Sequence, residues 1–287
     1  MIGCKVSRRL LISAAFWGLA FSGPAAATCL VSTGNVAEIS QGAGAEGANA
    51  TIIQTAQANG AACIAQDGEG ATAHVLQVGS LAANIASISQ SGGADQVAYI
   101  GQDGVSNTAN ISQRQVSGAT ALGGGSLLPA GFLSRLTGAG PGAGYSAVIA
   151  QEGRGNSAAI TQAADGDYGE VGQSGDYNNA LVNQGLLTPT LSGSFASLYQ
   201  SGSGNMGHIS QDGGRNSAAL TQDGDNLTGS IEQTNGGNIA DLAQRGAGLA
   251  FSIVQNGAAT TAGGITYTGM TSISVQQSPG HVMVVAR

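Results

Sequence analysis

Glutamine recurs along this chain at a nearly fixed interval. Gln151, Gln162, Gln173 and Gln184 stand eleven residues apart, and after a five-residue insertion the step resumes with Gln200, Gln211, Gln222, Gln233, Gln244 and Gln255. Gln41, Gln54, Gln66, Gln77, Gln90, Gln102 and Gln113 carry the pattern through the first part at steps of 11 to 13. Gln277 lies 22 residues beyond Gln255, with a decayed half-repeat between them. Such a period restricts the fold to a repeat architecture, in which each unit buries its apolar face against its neighbours.

The positions around each glutamine say which architecture. Two residues before every one of the seventeen stands an aliphatic side chain, from Ile39, Ile52 and Ile64 to Leu242 and Ile253. Four before is Ala in thirteen cases. Six before is Asn in eight, among them Asn84, Asn107, Asn156, Asn178, Asn216 and Asn238, and two after is commonly Gly, as at Gly104, Gly153 and Gly224. Ala, Ile and Gln at spacing two belong to one face of a β-strand. We expect that face to point inward and the intervening Ser, Thr, Ala and Asn to face solvent. Gly with Asp, Asn or Ser beside it supplies the turns.

Two strands and two turns make a coil of 22 residues. The fold expected is therefore all-β, a parallel β-solenoid of eight or nine coils. At about 4.8 Å per coil it would be a rod on the order of 40 Å long. One aliphatic per strand, worth about 1.5–3 kcal/mol when buried, does not offset an ordering cost of roughly 1–2 kcal/mol per residue, so no coil stands alone. An inward Gln needs hydrogen-bond partners, and a stack of amides provides them, each donating to the next. The Asn rows are expected to do the same at the turns. Glu would not serve, because stacked carboxylates repel.

Composition agrees. Gly supplies 48 of 287 residues, aromatics 4% and charged residues 9%, too few large side chains for a layered globular core. Residues 1–27 read as a signal peptide: Lys5, Arg8 and Arg9 precede an apolar stretch too short to span a bilayer, and Pro24-Ala25-Ala26-Ala27 supplies a cleavage site. Cleavage leaves six arginines and no lysine against sixteen acids, a balance that excludes nucleic acid as a partner. Two cysteines then remain, Cys29 and Cys63, which either pair in an oxidising compartment or stand as separate thiols.

Stretches such as Asn156-Ser157-Ala158-Ala159-Ile160-Thr161-Gln162 and Asn216-Ser217-Ala218-Ala219-Leu220-Thr221-Gln222-Asp223-Gly224 resemble curlin repeats, the repeats of curli subunits, and the resemblance covers roughly residues 35–113 and 145–257. It implies a subunit secreted through the periplasm and an outer-membrane export channel with accessory factors. Its partners would be copies of itself and related curlin subunits, joined in an extracellular amyloid fibre of the biofilm matrix. A minor, nucleating subunit and a capped, non-polymerising solenoid adhesin are the alternatives. The chain departs from the family in having no Gly-rich leader before its first repeat.

We divide the chain into the signal peptide, a first repeat block over 28–113, a Gly-rich insertion over 114–144, and a second block over 145–257 with a short insertion at 185–195. A degenerate tail over 258–287 follows; its strand-like runs Ile273-Ser274-Val275 and His281 to Ala286 would either continue the stack or cover it. Both insertions read as loops. Other chemistry finds little support. Asp165-Gly166-Asp167 and Asp223-Gly224-Asp225 read as turns, since no tandem Gly-Gly-x-Gly-x-Asp run accompanies them. His74, His208 and His281 are scattered, and His74 and His208 fall at outward positions. Tyr99 and Tyr199 read as isolated outward residues. We expect no cofactor, no metal and no enzyme activity.

Overall fold

The computed structural model describes residues 35–55, 59–79, 83–94, 96–114, 147–164, 166–186, 193–257, 261–267, 273–278 and 281–286. The signal segment and Cys29 lie outside them, as do nearly all of the longer insertion and 187–192 of the shorter one.

The described residues form strands and no helix. In chain order these are β1 (Val36–Gln41), β2 (Asn49–Thr55), β3 (Ala61–Glu69), β4 (Thr72–Val78), β5 (Ile85–Ala94), β6 (Val97–Val105), β7 (Thr108–Arg114), β8 (Ala147–Arg154), β9 (Ser157–Gln162) and β10 (Tyr168–Asp176). There follow β11 (Asn179–Gln184), β12 (Phe195–Ser203), β13 (Met206–Gln211), β14 (Ser217–Asp225), β15 (Thr228–Thr234), β16 (Ile239–Ala247), β17 (Ala250–Asn256), β18 (Thr261–Tyr267), β19 (Ile273–Ser278) and β20 (His281–Ala286). Odd-numbered strands stack into one sheet and even-numbered strands into a second, ordered β2 to β18. β20 is the exception and joins the odd sheet beside β19; up to β19 successive strands within each sheet are parallel. This is the β-solenoid that the eleven-residue period requires, with one strand from each half-repeat.

Register follows the sequence repeat. Ile209 lies on Ile231 and Gln211 on Gln233 in the odd sheet, and Leu198 on Leu220 and Gln200 on Gln222 in the even one. β6 pairs with β8 and β7 with β9, so the register is kept on either side of 115–146. A single apolar core of Ala and Ile, Val or Leu rows runs between the sheets, and Phe251 takes one Ala position within it. Its narrowness is the direct result of that pairing of a small and a medium side chain on every strand.

The expectation that all intervening residues face solvent needs correction. On the outer face of the even sheet Tyr99, Val148 and Ala150 are buried as a second small cluster, with Leu76 and Tyr199 packed against it. Glu170 and Ser197 on the same face are buried too, and Tyr168 Oη and Ser197 Oγ donate to the Glu170 carboxylate at 2.8 and 3.2 Å. Tyr168 stacks on Phe195 of the next coil at 5.2 Å between ring centroids. Strand alternation identifies the outer face but does not distinguish its covered part from its wet part.

The tail both continues the stack and closes it. β18 and β19 add to their sheets in parallel, and Gln277 takes the register position above Gln255. β20 then turns back and pairs antiparallel with β19.

Candidate functional site

The strands bring the seventeen glutamines into two columns. In the odd sheet the Nε2 of Gln41, Gln66, Gln90, Gln113, Gln162, Gln184, Gln211 and Gln233 each donates to the Oε1 of the next glutamine up, ending on Gln255, at 2.7 to 3.1 Å. In the even sheet Gln54, Gln77, Gln102, Gln151, Gln173, Gln200 and Gln222 do the same up to Gln244, at 2.7 to 2.9 Å. All fifteen of these bonds run in the same direction, from β1 towards β19. All but the half-buried Gln54 are buried.

The sequence does not disclose where the second amide hydrogen goes. It crosses to the opposite sheet and meets a backbone carbonyl at or next to the start of a strand: Gln200 Nε2 donates to Asn179 O at 2.9 Å, Gln222 to Met206 O at 3.1 Å, and Gln233 to Ser217 O at 3.0 Å. One oxygen and two hydrogens are thereby used on most rungs, which is why a primary amide tolerates complete burial here. The same bonds tie one sheet to the other.

The asparagines behave differently from the stacked amides expected of them. Asn156 Oδ1 accepts the backbone N–H of Asn178 in the next coil at 3.0 Å, while its Nδ2 donates to Gly175 O at 2.8 Å and Glu152 O at 3.1 Å. Asn107 and Asn178 repeat this pattern. Asn84 makes both bonds to the coil above, to Asn107 N and Gly104 O. The side chain clamps backbone to backbone because it sits at a turn, where the main chain has left its ladder. Asn205, at the same spacing from Gln211, is a further clamp, with its Nδ2 on Gly224 O at 2.7 Å and its Oδ1 taking Leu227 N–H at 3.0 Å. Beyond it Leu227 and Leu249 fill this position, both buried.

On the opposite turn Asn216 Oδ1 accepts Asn238 N–H at 3.0 Å, Asn216 Nδ2 reaches Asn235 O at 3.0 Å, and Asn238 Nδ2 reaches Thr234 O at 2.8 Å. Earlier in that column Ser194 Oγ donates to Gly213 O and Asp167 accepts Ser194 N–H, which explains Asp167 as a turn residue. Asp225 likewise accepts Ser203 N–H at 2.8 Å, and Asp223 pairs with Arg245 at 3.3 Å on the surface.

The glycines after the even-sheet glutamines stack as Gly104, Gly153, Gly175, Gly202, Gly224 and Gly246, all at φ between 103° and 142°. A Cβ on any of the first five would overlap the carbonyl oxygen of the next glycine, whereas on Gly246 it meets only Leu249. The column therefore requires glycine twice over, for φ and for space.

Cys63 is buried and disulfide-bonded; Cys29, its partner in one of the two readings of the sequence, lies outside the described residues. His74 and His208 are half-buried, and burial lowers both imidazole pKa values, with Glu232 opposing the shift at His208. Burial raises the Tyr168 phenol well above its usual range, and the neighbouring Glu170 carboxylate adds to it. Among the described residues no group of three His, Cys, Asp or Glu is placed to hold a metal ion.

No curated protein matches the chain. Residues 193–224 match the family model of the curlin associated repeat. That stretch contains Gln200, Gln211 and Gln222 with β12 and β13, and the same ladder register continues on both sides of it. The chain carries the curlin associated repeat.

Proposed function

We propose that the protein is a secreted structural subunit that assembles, with copies of itself or related curlin subunits, into curli-like extracellular amyloid fibres serving the biofilm matrix and surface adhesion. The observation that carries this reading is the pair of glutamine ladders. They run in one direction through the stack, and at the β1 end the series stops on a buried Gln41 Oε1 with no hydrogen-bond partner among the described residues. A ladder of this kind gains one more set of bonds for each coil added, whether the coil belongs to the same chain or to another. Export by way of the periplasm and an outer-membrane channel belongs to the same reading. A nucleating subunit would use the same ladders and differ in initiating fibres rather than extending them.

The test is seeded assembly of residues 28–287, diluted from denaturant and followed by thioflavin T. Fibres that diffract near 4.7–4.8 Å and grow faster when seeded are expected. A folded monomer that stays soluble and never binds the dye would overturn the reading in favour of a capped solenoid adhesin.

A further inference from the structure

We propose that β20 occupies the growth site of the fibre: the edge of β19 that it covers is where β1 of a second copy docks. The inference rests on the fibre-subunit reading and adds to it the two faces that meet and the segment that must leave.

The first observation is a break in a rule that the rest of the molecule obeys. Consecutive strands alternate between the two sheets from β1 to β19, but β19 and β20 lie side by side in the odd sheet. β20 is also antiparallel where every other pairing is parallel. The even sheet ends at β18, so it is one strand short of the position that alternation would give to β20. A place for β20 thus exists on β18 once β20 leaves β19.

The second observation is complementarity between the two ends of the stack. Each oxygen is filled by the Nε2 of the rung before it, on the β1 side, so among the described residues the ladder starts with an unfilled, buried oxygen on Gln41. Gln277 stands in register as the next rung after Gln255. In the present arrangement the register of β20 places Val282, and no glutamine, at the position opposite Gln277. Parallel docking of β1 on β19 would instead put Gln41 on Gln277 and extend the odd-sheet ladder from one chain into the next. The backbone is ready for it: Val36 N–H and Gly42 N–H bond to Gly60 O and Gln66 O of the neighbouring coil, so the alternate amides, those of Ala37, Ile39 and Gln41, point to the edge of β1 that no described strand covers.

The test compares three forms of residues 28–287 at equal concentration, by thioflavin T and by fibre length in electron micrographs. They are the parent, the double variant Val284→Pro/Val285→Pro, and that double variant with Ala37→Pro. Donors alternate along an antiparallel pair, so one of the two prolines removes a bond to β19. Ala37→Pro removes an amide from the edge of β1 away from β3 and spares its pairing with β3. The double variant should elongate at least about tenfold faster than the parent, which corresponds to loosening β20 by about 1.4 kcal/mol. Adding Ala37→Pro should return the rate to the parent's or below. Equal elongation by parent and double variant would remove β20 as the gate while leaving the fibre reading intact, and an undiminished rate with Ala37→Pro would remove β1 as the docking strand. If none of the three forms fibres although all show β-sheet circular dichroism, the fibre reading fails and this inference with it.

Discussion

Replacing one amide in the middle of a ladder by a carboxyl, Gln200→Glu, asks whether the columns carry stability. Gln200 Oε1 accepts from Gln173 at 2.8 Å, and its Nε2 donates to Gln222 Oε1 at 2.7 Å and to Asn179 O at 2.9 Å. An ionised Glu keeps the first bond and loses the other two, leaving two buried oxygens without donors at about 1–3 kcal/mol each. It also sets a desolvated charge against those oxygens, for a total on the order of 4–6 kcal/mol. A protonated Glu can give its hydroxyl to one of the two, and the loss shrinks to about 1–2 kcal/mol. Burial and the facing oxygens raise the pKa of the introduced acid above the ordinary value of about 4.3. The folded variant therefore holds a proton that the unfolded chain has released. Its stability relative to the parent is greatest below about pH 4.3 and is lost as pH rises through the folded pKa. Guanidinium unfolding of soluble protein, followed by circular dichroism at pH 4 and pH 7, measures both values, with Gln200→Leu as a control that has no proton to exchange. A penalty at pH 7 below about 1 kcal/mol, or one that is the same at both pH values, would refute the reasoning.

Three further outcomes are expected. Gly175→Ala should cost at least about 3 kcal/mol, from positive φ and a blocked backbone, while Gly246→Ala, whose Cβ makes only an ordinary contact with Leu249, should cost about 1–2 kcal/mol; chemical denaturation of the two variants side by side checks the ranking. His74 and His208 are held neutral by burial, so their contribution is complete above about pH 6.5 and declines as pH falls below it. The variant His74→Asn/His208→Asn should lose less melting temperature than the parent between pH 7.5 and 5.5, and identical slopes would count against the assignment. Arg245→Gln removes an ion pair whose side chains are 72% and 53% exposed and should change stability by no more than about 0.5 kcal/mol; a larger loss would mean that surface charge matters more than packing at this turn.

The coil, its inward face and the glutamine columns are legible in the sequence because each rests on a short-range rule repeated many times. Alternation at spacing two places Ile209 and Gln211 on one face, and a period of eleven places Gln233 directly above Gln211 two half-repeats later. The asparagine clamps are legible as positions but not as bonds: spacing identifies Asn156, yet only the path of the turn shows that its partners are main-chain groups of the next coil. Asn205 illustrates the same limit, since it shares the spacing of the others and its role appears only with Gly224 O and Leu227 N beside it. The buried outer patch around Tyr99 and Val148 and the reversal at β20 are not legible at all. The repeat places Tyr99 on Val148 in register but does not state how far neighbouring side chains cover one another, and β20 turns back through a local hairpin, Ser278 opposite His281, that follows no repeat.

The common direction of the ladder amides has an electrical consequence for the whole particle. Peptide-like groups carry a dipole of roughly 3.5 D, and aligned groups add, as they do in an α-helix. Here the groups are side chains, fifteen of them linked in two parallel files with the nitrogen of each directed towards β19. The β1 face thus carries partial negative charge and the β19 face partial positive charge, although the chain as a whole is acidic. Two molecules approaching along the axis attract when opposite faces meet and repel when like faces meet, so orientation is selected before any strand pairs. Dissolved salt would blunt that selection within a Debye length of about 8 Å at physiological ionic strength.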